Sequence, residues 1–200
     1  MRLLSWLCAF AAFVGAAPAI AQDTIVRTET TYFVQTAGGS AAVCGMEFNI
    51  VYRDRTIRNG AAAAIGGAFS WAENKGNIGV LLKINGADFP NLERQDVRPQ
   101  QFSIAKGAIS INGNYYAPDT TSRCEDPRAF CGAYWMPKSL VALQELEAGN
   151  LSVSFNREAG GLDVTLPIHI EFTNEKMKDY SAFHNCMSVL SDRAIKSLSK

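Results

Sequence analysis

Cysteine is the residue type whose chemistry is easiest to place in this chain. Five are present, and Cys8 stands apart from Cys44, Cys124, Cys131 and Cys186 because it lies inside an apolar N-terminal run. Without Cys8 the number is even and no CxxC pair remains, so the pattern reads as two disulfides in an oxidising compartment rather than a zinc site. Three pairings are possible in principle. The spacing favours Cys124–Cys131, since a short segment containing Asp126, Pro127 and Arg128 can turn back on itself, and this leaves Cys44–Cys186.

Histidine offers less. His169 falls on the polar side of an alternating run beside Glu171, and His184 sits off the apolar stripe of a C-terminal helix, so both read as surface residues. A Cys–His nucleophile pair would need a thiolate, and Cys186 is two residues from His184, which is the wrong helical spacing for contact. No HExxH, GxSxG or phosphate-cradling glycine loop occurs, and no catalytic residue is assigned. The glycines Gly60, Gly66 and Gly67 flank the run Ala61–Ala64 and read as sites of close backbone packing.

Aromatic residues form the most suggestive recognition feature. Tyr115 and Tyr116 precede Ala117-Pro118, Tyr134 and Trp135 precede Met136-Pro137, and the two strings flank the 124–131 loop. Tyrosine and tryptophan are favoured at interfaces, so these four form a candidate binding patch, with core filling as the competing expectation.

The N-terminus supplies a compartment. Arg2, an apolar stretch over Leu3–Val14 and the small residues Ala19 and Ala21 have the grammar of a secretory signal peptide cleaved before Gln22. The stretch is too short for a permanent anchor, and no later segment approaches the length of a membrane span. Residues 1–21 are therefore expected to be removed and 22–200 to form one disulfide-bonded domain, periplasmic or secreted. With 19 basic and 19 acidic residues the chain has no electrostatic case for nucleic acid or for a charged membrane surface.

The elements that must carry these residues are mostly strands. Leu162, Val164, Leu166, Ile168, Ile170 and Phe172 alternate with polar partners over residues 162–172, with Pro167 demanding an edge position or a bulge. Leu151, Val153 and Phe155 alternate likewise, and residues 157–161 supply the turn of an antiparallel hairpin. Further strands are predicted over 25–36, 46–53, 68–73, 78–85, 102–104 and 108–111, with tight turns at Asn85-Gly86 and Asn112-Gly113. A short helix with Leu140, Leu143 and Leu146 is predicted between a Ser139 cap and Gly149. Phe183, Cys186, Met187, Leu190 and Ala194 mark an amphipathic C-terminal helix that turns Cys186 inward. The fold class is mainly β: a single-domain antiparallel sandwich or barrel-like sheet with a short helix and a C-terminal helix.

The ordered string from Phe102-Ser-Ile-Ala-Lys-Gly-Ala-Ile-Ser-Ile-Asn-Gly113, through Cys124 and Cys131-Gly-Ala, the Leu140/Leu143/Leu146 helix and Ala148-Gly149-Asn-Leu151-Ser-Val153-Ser-Phe155, to Val164-Thr-Leu166-Pro-Ile168, is similar to the invasion-associated locus B family. The chain departs from the family pattern at its first strand, which lacks a tryptophan–cysteine start, and at Cys186. The resemblance implies a small exported β-rich protein of the bacterial envelope or surface, linked in some members to host-cell invasion, without enzymatic residues to carry over. The expected function is thus non-enzymatic binding of a protein or another envelope or host-surface macromolecule, without a cofactor or metal. A periplasmic hydrolase built around scattered carboxylates and His169, or a small-ligand binder, is the alternative.

Overall fold

The structure is a computed structural model that describes residues 24–90, 98–157, 164–170 and 173–198. The expected signal peptide, residues 1–21, and its expected cleavage site lie outside the described residues. Four long antiparallel strands dominate: β1 (Thr24–Ala37), β2 (Ser40–Asp54), β3 (Ala61–Asn74) and β4 (Asn77–Asp88). Short strands β5 (Gln100–Phe102), β8 (Thr120–Ser122) and β9 (Phe130–Tyr134) complete a seven-stranded sheet, A, in the order β1-β2-β3-β4-β9-β8 with β5 also on β4. Sheet B has four strands in the order β11-β10-β6-β7: β6 (Lys106–Ile111), β7 (Asn114–Tyr116), β10 (Leu151–Asn156) and β11 (Val164–Pro167). Helix α1 (Lys138–Glu147) links the sheets, and α2 (Asn174–Leu198) closes the chain.

The expected class is therefore the observed one: mainly β, antiparallel, with a sandwich-like core, a short helix and a C-terminal helix. The hairpin β10/β11 pairs as expected, Val153 with Leu166 and Phe155 with Val164, and Pro167 ends an edge strand, where its missing amide costs no ladder bond. Residues 158–163 and 171–172 of the expected turn and strand lie outside the described residues. After Pro167 the chain leaves the regular ladder, although the Ile168 amide still donates to the Leu151 carbonyl at 2.9 Å.

Two local expectations are corrected. Asn85-Gly86 is not a turn but lies inside β4, paired with Gly66 and Ile65 of β3. Gly86 has another use there: a Cβ would collide with the Phe102 ring, which fills the space beside Ile65. Asn112-Gly113 is a tight turn, with φ of 50° and 79°, the two left-handed residues that such a hairpin needs. Ser139 is not the cap of α1. It lies in the first turn, buried, and its hydroxyl donates to the Ile78 carbonyl at 2.6 Å while its own carbonyl accepts from Trp71 Nε1 at 3.1 Å. These bonds staple α1 to sheet A. Gly149, with φ of 76°, follows the helix as expected.

The core follows from the two-residue period of the strands. On the inner face of sheet A, Cys44–Trp71–Val80–Tyr134, Met46–Phe69–Leu82 and Ile50–Ile65 fall in cross-strand rows, all buried. Two covers share this face. At the Cys44 end α2 lays down Phe183, Cys186, Met187, Leu190 and Ala194, the stripe read from sequence, with Phe183 edge-on to Trp71 at 5.7 Å. At the Tyr52 end sheet B brings Phe155 against Tyr52 and Phe102, with ring centroids 6.4 and 6.5 Å apart. No helix among the described residues is long and apolar enough to cross a membrane.

Candidate functional site

The cysteines form two disulfides. Cys44–Cys186 joins β2 to α2 across a sequence separation of 142 with Cα atoms 5.8 Å apart, and Cys124–Cys131 closes the loop before β9 at 5.6 Å. All four sulfurs are thereby committed to structure, and no three His, Cys, Asp or Glu residues gather to hold a metal among the described residues.

The histidines stay on the surface. His184 on α2 meets Glu147 at the end of α1 at 3.1 Å, both partly exposed, which is an ordinary interhelical contact. His169 is exposed and lines an open hollow of about 470 Å3 with Arg27, Thr28, Glu29 and Lys176, but among the described residues it has no hydrogen bond or ion pair that would set it up as an acid or base.

The four aromatics do not make one patch. Tyr134 is fully buried, and its hydroxyl accepts from the Ile109 amide at 3.1 Å, tying β9 to β6; burial holds the phenol far above its ordinary pKa. Tyr116 is half-buried against the core, and Tyr115 is exposed, its hydroxyl 3.5 Å from Thr165 Oγ1. Alternation separates them: consecutive residues of a strand face opposite ways, so Tyr134 goes inward and Trp135, just past the strand end, goes outward.

Trp135 leads to the surface that the sequence did not single out. Its ring lies over Gly79 of β4, where any Cβ would strike it, on the outer face of sheet A. Its amide donates to Asp119 Oδ2 at 2.8 Å, and Asp119 Oδ1 accepts from Lys138 Nζ at 2.5 Å. The Lys138 hydrogen bond, with the Trp135 amide second, holds the Asp119 carboxyl below the usual carboxylate range. On the opposite margin the Phe33 ring of β1 lies over Gly45 in the same way. Between them run Ser70 and the exposed Leu81, so this end of the outer face is an aromatic and aliphatic band.

Next to the band the same face turns polar and hollow. Cross-strand rows place Thr31–Glu47–Ala68–Lys83 and Glu29–Asn49–Gly66–Asn85 side by side. The middle strand contributes only the small residues Ala64, Gly66, Gly67 and Ala68, so the floor drops between taller walls and a trough of about 590 Å3 opens. The Asn85 side chain lies across Gly66, where a Cβ would push its tip aside. Glu29 and Glu47 stand on one wall and Lys83 on the other, with Gln101 at the end. Sheet B and α2 both lie on the inner face, and Glu29, Thr31, Glu47, Asn49, Leu81, Asn85 and Gln101 are exposed.

The alternation of β1, β2 and β4 carried a signal for this face, since Glu29, Glu47, Lys83 and Asn85 are the polar members of each strand's pattern. The sequence carried no comparable signal that the strand predicted over 68–73 begins at Ala61 or that its small residues make a floor. Compared with known proteins, the chain matches no family model, no curated protein and no solved structure.

Proposed function

We propose that this is a non-catalytic exported binding protein that docks another protein of the envelope or host surface on the outer face of sheet A. One observation carries the reading: a broad exposed sheet face with two aromatic rings laid flat on glycines, the exposed Leu81 between them, and a charged, small-floored trough alongside. That is the anatomy of a protein interface, with apolar anchors of low conformational entropy beside polar groups that set orientation. The acidic wall of Glu29 and Glu47 suits a partner that offers a basic side chain next to an apolar one. The disulfides and the N-terminal signal grammar fit a periplasmic or secreted location. The sequence resemblance to the invasion-associated locus B family points to the same class of role.

Site-specific photo-crosslinking tests this. A crosslinker placed at Leu81, Glu47 or Asn85 is expected to capture a partner from envelope or host-surface extracts. The same probe at Leu140 or Val189, exposed on the two helices, is expected to capture none. The double variant Glu47→Arg with Leu81→Asp is expected to lose capture and retain its fold. Capture from the helix positions alone, or an unaffected double variant, overturns the reading.

A further inference from the structure

The edge of sheet A carries a second surface. β1 is an edge strand, paired on one side with β2. Bulges interrupt its register between Ile25 and Arg27 and between Gln35 and Thr36, while Arg27–Gln35 pairs without interruption. Among the described residues no backbone hydrogen bond reaches β1 from its free side. Long free edges with unspent donors and acceptors invite another strand, and natural proteins blunt them with charge, proline or bulges; the two bulges here leave the stretch Arg27–Gln35 regular. β1 contains no proline, and its two charges are of opposite sign, Arg27 and Glu29, one residue on each side of Thr28.

That symmetry has a geometric consequence. When a strand pairs antiparallel with a copy of itself about a dyad through residue n, position n−1 of one copy faces position n+1 of the other on the same face of the sheet. With the dyad at Thr28, Arg27 faces the second copy's Glu29 and Glu29 faces its Arg27. Both side chains already touch within one chain and remain exposed, at 71% and 50%. Thr28 then faces its own copy.

We infer that two copies of this chain associate edge to edge through β1, antiparallel about Thr28, with reciprocal Arg27–Glu29 pairs fixing the register. A dyad perpendicular to the sheet leaves both outer faces on the same side, so the dimer presents two troughs on one continuous sheet. The edge shares Glu29 with the trough, but dimerisation is read on the purified protein with no partner present, so its failure is distinguishable from a failure of docking, for which Glu47, Leu81 and Asn85 are the probes.

Charge reversal at the edge decides it. The purified protein is expected to sediment as a monomer–dimer equilibrium that shifts to dimer with concentration. Arg27→Glu places two glutamates opposite two glutamates, and Glu29→Arg places arginines opposite arginines, so each variant alone is expected to dissociate at least about tenfold more readily. Mixed in equal amounts, the two are expected to recombine as a heterodimer, because every opposed pair is then of opposite sign, and circular dichroism is expected to show both folded. A wild-type protein that stays monomeric to about 1 mM, single variants that dimerise as well as wild type, or a mixture that fails to recombine overturns the inference.

Discussion

Arg157, one residue beyond β10, reaches across the sandwich to Asp54, the last residue of β2: Nη2 and Oδ2 are 2.8 Å apart, with 10% and 0% of the two side chains exposed. The same guanidinium meets Asp88 of β4 at 2.9 Å and lies 3.6 Å above the Phe102 ring. Asp54 meanwhile accepts from the Ile57 amide at 2.8 Å with its other oxygen, and its carbonyl accepts from the Gly60 amide at 2.6 Å. One carboxylate thus shapes the β2–β3 loop and one arginine pins sheet B to sheet A. Removing a single member of a buried, bonded ion pair strands the other. Arg157→Met is therefore expected to lower unfolding free energy by about 3–5 kcal/mol. Asp54→Asn is expected to cost a similar amount. Chemical denaturation of both single variants and the double variant checks this, with the double expected to cost clearly less than the sum.

The two disulfides are expected to contribute unequally. On the chain-entropy account a loop of 142 residues is worth about 5 kcal/mol and one of 7 about 2.4. Cys186→Ser is therefore expected to destabilise more than Cys124→Ser, by about 1–3 kcal/mol. Denaturant midpoints of the two variants, with non-reducing peptide mapping of the wild type, provide the measurement. A Cys44–Cys124 or Cys44–Cys131 peptide would contradict both the pairing and the seat of α2.

The aromatic residues divide sharply by burial. Tyr134→Ala opens a core cavity and frees the Ile109 amide, and is expected to cost about 3–5 kcal/mol. Tyr115→Ala, at an exposed position, is expected to stay within about 0.5 kcal/mol of wild type. Thermal unfolding distinguishes the two at once.

Alkaline pH should expose the buried phenols. Burial raises the pKa of Tyr134, and of Tyr32 where its ring packs on Tyr180 and Phe183, above the ordinary value of 10.0. Their stabilising contribution is complete below pH 10, where folded and unfolded chains both hold the protons. It is lost as pH rises further, because the unfolded chain ionises first. The denaturant midpoint is expected to fall from about pH 10 upward, and Tyr134→Phe to reduce the slope by about 1.4 kcal/mol per pH unit. An unchanged slope in that variant would show that Tyr134 does not titrate with unfolding.

The sequence by itself determined the elements whose period is strong and local. Alternation over Leu151–Phe155 and Val164–Leu166 defined a hairpin, and the stripe from Phe183 to Ala194 defined a helix with Cys186 turned inward. Such patterns survive because each strand or helix must bury one side whatever it packs against. Asn85-Gly86 shows where local chemistry loses: in β4 the ladder on both sides and the Phe102 ring over Gly86 outweigh the turn preference of the dipeptide. Only the tertiary structure decided that Ala61–Ala68 is a central strand, that Tyr134 and Trp135 part to opposite faces, and that Arg157 meets Asp54 from 103 residues away. Those outcomes depend on which strands become neighbours and in what register. Register is set by the summed burial of the whole sheet rather than by any segment that could be read alone.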